Sequence, residues 1–74
     1  MSYAASDDVV VYLINQSVNG SPERRLAAKF ILDCLRNYET RKEIENCIRE
    51  LAEEALLDVA KDARELAEGV GLIR

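Results

Sequence analysis

The chain has 74 residues, 32% of them charged, with Lys+Arg 10 against Asp+Glu 14, no histidine and a net charge of -4. A chain of this length builds one compact domain with a thin stability margin, and its acidic balance repels nucleic acid and anionic lipid at long range. No apolar run approaches the roughly 20 residues that span a bilayer, and the start MSYAASDD lacks the basic and apolar regions of a secretory signal, so the expectation is a soluble cytoplasmic protein without membrane contact.

In chain order, Ser6 followed by Asp7 and Asp8 is a helix-start signal: a side-chain oxygen for the free amides, and two carboxylates at the positive end of the dipole. The run Val9 to Ile14 opens with three valines, which favour a strand. No other segment offers a strand to pair with it, and an isolated strand leaves its backbone unsatisfied. A helix over 7–18 is therefore expected, ended by Asn19-Gly20, residues that tolerate the left-handed conformation. Ser21 then caps a second helix, 22–37, with Pro22 at the position where its missing amide is harmless. Leu26, Ala27, Phe30, Ile31, Cys34, Leu35 and Tyr38 recur at helical spacing and predict a wide buried stripe.

Thr40 and Glu43 have the spacing of a capping box, and the short connection before them folds the third helix back antiparallel on the second. Ile44, Ile48, Leu51, Ala55, Val59, Ala63 and Leu66 then run along one face, and Cys47, Ala52, Leu56, Ala60 and Ala67 widen it. No glycine or proline interrupts residues 41–68, so a single helix about 42 Å long is predicted. A globule of this size is only about 29 Å across. Gly69 and Gly71 close the helix and leave a short apolar tail within 69–74.

The predicted fold is all-α: two shorter helices and one long C-terminal helix per chain, an antiparallel helical hairpin assembled as an intertwined homodimeric bundle. The self-association interface is expected at Ile44, Ile48, Leu51, Ala55, Leu56, Val59, Ala63 and Leu66. Folding and association would then be one event, with stability dependent on protein concentration. Cys34 and Cys47 stand among apolar residues without a paired ligand spacing; they are expected to be buried reduced thiols, a bridge between helices or subunits being the alternative.

The catalytic raw material is poor. Histidine, the side chain that titrates near neutrality, is missing, and Glu53 and Glu54 diverge by about 100° around a helix. No enzyme activity, metal or cofactor is expected. Arg24 and Arg25, and likewise Arg41 and Lys42, oppose the dipoles of the helices they begin. Salt bridges to neighbouring helices would explain them, and an anion site at Ser21, Arg24, Arg25 and Lys29 is the alternative. Glu50, Glu54, Asp58 and Asp62 recur every four residues as an acidic row, a solvated face or a docking strip for a basic partner. The joined first and second helices also imitate a helix-turn-helix, although the second is too apolar to read a groove. Tyr3 and Tyr12 are candidate interface anchors. The leading expectation is a small regulatory or inhibitory interaction module, a homodimer that binds another protein. A small-anion or nucleotide binder and a DNA-binding dimer stand as alternatives.

Overall fold

The computed structural model describes residues 3–73, and these form four helices and no strand: α1 (Asp7–Asn19), α2 (Pro22–Asn37), α3 (Arg41–Glu54) and α4 (Leu57–Gly69). Arg74 of the expected tail lies outside the described residues. The valine run is helical. Ser6 precedes α1, but its side chain makes no capping hydrogen bond. Gly20 is not left-handed either, with φ −75° and ψ 176°. Glycine is required there for space: a Cβ would lie 2.7 Å from the Gln16 carbonyl oxygen.

The second helix start follows the sequence expectation. The Arg24 amide donates to Ser21 Oγ at 3.3 Å, and Pro22 opens the helix. Before α3, the Glu43 amide donates to Thr40 Oγ1 at 3.2 Å and the Thr40 amide to Glu43 Oε1 at 3.4 Å, a complete capping box.

The single long helix is not what the chain forms. Helix α3 ends at Glu54, Ala55 and Leu56 are extended, with ψ 164° and 148°, and α4 begins at Leu57. The turn leaves the amides of residues 56 to 59 without their helical acceptors, a net loss of about 1 kcal/mol each. In exchange, Val59, Ala60, Ala63, Leu66 and Ala67 become buried. The two larger side chains alone gain about 3 to 6 kcal/mol from burial. A straight rod of about 42 Å would also overrun a body whose longest extent is 26 Å.

Helix α2 is central: α1, α3 and α4 each pack on it, and α3 and α4 pack on each other. Among the described residues α1 touches no helix except α2. It runs back beside α2. Arg24 bonds to Gln16 at one end of the pair, and the Ala4 amide donates to the Leu35 carbonyl, 3.0 Å, at the other. Leu13, Ile31, Leu35, Ile48, Leu66 and Cys34 are the largest fully buried side chains. Leu26 and Tyr38, expected in the stripe of the second helix, are instead exposed. Cys34 and Cys47 are bonded to each other, so the reduced-thiol expectation is corrected: a disulfide ties α2 to α3, with Cα atoms 5.8 Å apart.

At the C-terminus the Gly71 amide donates to Glu68 O, 3.1 Å, and the Leu72 amide to Ala67 O, 2.9 Å. Together with Gly71 at φ 78° this is a Schellman turn. It drives Ile73 into the core, and Arg41 fastens the turn by donating to Gly71 O at 3.1 Å.

Candidate functional site

Most of the apolar surface foreseen for self-association is used inside one chain. Ile44, Ile48, Val59, Ala63 and Leu66 are buried in the core, while Leu51 and Ala55 are partly buried against it. Leu56 alone of that set is strongly exposed, at 79%, and Leu57 beside it at 83%. Both follow from the α3–α4 turn. On a continuous helix Leu56 would have flanked the buried stripe, whereas on the extended corner it leaves the surface of either helix. The side chain that precedes α4 is thus a leucine with no capping bond, where Ser, Thr, Asp or Asn would hold an amide.

A second apolar surface lies on α1. Among the described residues α1 packs on α2 only, so the side opposite Leu13, where Val11 and Val18 are exposed, has no helical neighbour; Ile14 is exposed on one flank of that side, and Tyr12 on the other, where its hydroxyl meets Arg24. Val11 and Val18 are 65% and 64% exposed. Residues 9 to 22 contain no charged side chain, so this face lacks the solvating charges that cover the other three helices.

The acidic row is divided by the turn: Glu50 and Glu54 belong to α3, Asp58 and Asp62 to α4. Glu53, Glu54 and Asp58 are exposed and flank the leucine pair in sequence, which gives the corner an apolar tip with an acidic surround. Two of the bases at helix starts, Arg24 and Arg41, take partners other than acids on neighbouring helices. The Arg24 guanidinium donates to Gln16 Oε1 and, at 3.2 Å, to the Tyr12 hydroxyl, both on α1. Arg41 pairs with Glu45 of its own helix at 3.6 Å, and Arg49 pairs with the same carboxylate at 3.8 Å. Arg25 and Lys29 are exposed. Of the proposed anion-binding set, Ser21 already accepts the Arg24 amide and Arg24 is directed along α1.

Among the described residues no group of three or more Cys, Asp or Glu side chains is arranged to hold a metal ion, and no helix is long and apolar enough to cross a membrane. Two signals in the sequence pointed toward the exposed surfaces without being read that way. They are the uncharged run 9 to 22 and the adjacent leucines 56 and 57, whose exposure depends on a turn that no breaker residue marks. No family model, curated protein or solved structure matches this chain.

Proposed function

We propose that this protein is a small non-catalytic interaction module that regulates or inhibits another protein by occupying part of its surface through the Leu56–Leu57 corner. The observation that carries the reading is the exposure of these two leucines, 79% and 83%, well above Leu26 at 46% and in contrast to Leu13, Leu35 and Leu66, which are exposed by 1% or less. Local rules broken without a stabilising return are characteristic of functional positions, and an uncapped leucine before α4 is such a case. The partner surface that fits has a hydrophobic socket rimmed by Lys and Arg, matching the leucine tip and the acidic groups Glu53, Glu54 and Asp58 around it. The divided row Glu50, Glu54, Asp58 and Asp62 extends that rim onto both helices. A groove beside the tip, lined by Leu57, Asp58, Lys61, Arg64, Glu65 and Glu68, gives the partner further area.

The anion and DNA readings gain no comparable support. Arg24 is engaged by α1, and a recognition helix in the centre of its own domain, touched by all three others, has little surface to place in a groove. The Cys34–Cys47 bridge suits an oxidising compartment, which counts against the cytoplasm suggested by the sequence.

Affinity capture from the source cells, with the wild-type chain beside a Leu56→Ser/Leu57→Ser variant, tests the reading. Both substitutions are at exposed positions, so the circular dichroism spectrum should not change. Loss of two buried leucines at an interface, about 3 kcal/mol at the least, should lower recovery of a stoichiometric partner about 100-fold. Recovery of the same proteins in the same amounts by both chains would overturn it.

A further inference from the structure

We propose that the outer face of α1 is the docking surface for a second copy of this chain, the two α1 helices packing antiparallel across a two-fold axis. This goes beyond the partner-binding corner and rests on that reading only in treating the protein as an assembly module.

Asp7, Val11, Ile14 and Val18 are separated by four, three and four residues, the spacing of a helix seam that meets a second helix. All four are exposed, and among the described residues α1 has no helical neighbour except α2. Two copies with a net charge of -4 each repel one another over most of their surface. Along the run from residue 9 to residue 22 there is no charge to repel, and charge depletion marks the centre of a protein interface.

The ends of the seam complement each other. Asp7 and Asp8 are exposed at the start of α1, and Arg25 is exposed in the first turn of α2, just past the other end of α1. None of the three has an ion-pair partner among the described residues. An antiparallel pairing brings each copy's Asp7 and Asp8 to the end of the seam where the other copy's Arg25 stands, so a two-fold axis satisfies both ends at once. A parallel pairing would set carboxylate against carboxylate. A contact made mainly by one 13-residue helix falls in the small class, below about 1,200 Å² in total. The dimer is therefore reversible and dependent on concentration.

Sedimentation equilibrium on the purified chain, from about 10 μM to 1 mM, provides the test. Wild type should show a monomer–dimer equilibrium. Val18→Lys, a change at an exposed position, should weaken it at least tenfold with an unchanged helical spectrum, whereas Leu56→Ser/Leu57→Ser should leave it intact. Asp7→Arg/Asp8→Arg should weaken the dimer, and adding Arg25→Asp to that variant should restore it. A wild-type chain that stays monomeric throughout, or a dimer abolished by the leucine changes and indifferent to Val18→Lys, overturns the proposal. Failure here leaves partner capture by the corner untouched, and a dimer with no captured partner removes only the corner reading.

Discussion

Gly69, Gly71 and Gly20 are held by three different constraints, and their replacement by alanine separates them. Gly69 is the last residue of α4, its φ is not positive, and a Cβ would meet nothing within 4 Å. Gly69→Ala should stabilise the protein by about 0.5 to 1 kcal/mol by restricting the unfolded chain. Gly71 has equal room but sits at φ 78°, so Gly71→Ala should cost about 1 to 2 kcal/mol and loosen the turn that seats Ile73. At Gly20 the backbone is ordinary and the space is not: Gln16 O and the Arg24 side chain lie 2.7 and 3.2 Å from the added carbon. Gly20→Ala should cost about 1 to 3 kcal/mol through overpacking. Urea unfolding of the three variants checks the order. The sequence marks all three glycines as punctuation; only the backbone angle and the neighbouring atoms tell which of them can be replaced.

At the scale of the helices, caps were legible and one boundary was not. Ser21-Pro22 and Thr40…Glu43 are local chemistry, since each side chain reaches an amide three residues away, and the predicted span 22–37 agrees with α2. The α3–α4 turn has no such mark. Ile44, Ile48, Ala55, Val59, Ala63 and Leu66 keep helical phase straight through it, so one rod and two helices share the same periodic signal. Leu57→Pro distinguishes them. Leu57 is the first residue of α4, and Leu56 before it has φ −58° and ψ 148°, the extended conformation that a following proline demands. Proline there should leave stability within about 0.5 kcal/mol, as thermal melting would report. In a continuous helix the same change would cost about 3 kcal/mol.

For the molecule as a whole, the radius of gyration is 10.8 Å and the extents are 26 × 24 × 20 Å, so the chain encloses its own core. The expectation that folding requires a second subunit came from a rod too long to be covered, and the turn at Ala55–Leu56 removes that premise while leaving association through other surfaces open. At low micromolar concentration the monomer should therefore unfold cooperatively, with a midpoint that does not move with concentration. Reduction of Cys34–Cys47, which closes a loop of sequence separation 13, should lower its unfolding free energy by about 3 kcal/mol; calorimetry with and without reductant measures both effects. The sequence by itself determined the all-helical class, the places where α1, α2 and α3 begin, and the end of the chain's last helix near Gly69. These depend on propensity, capping and period, which act over three or four residues. Only the tertiary structure decided that the third helix divides, that Cys34 meets Cys47, and that Leu56, Leu57 and the outer face of α1 stay uncovered. Each of those outcomes depends on how far α2 can shield other helices from water, a long-range balance of burial that no local stretch of residues encodes.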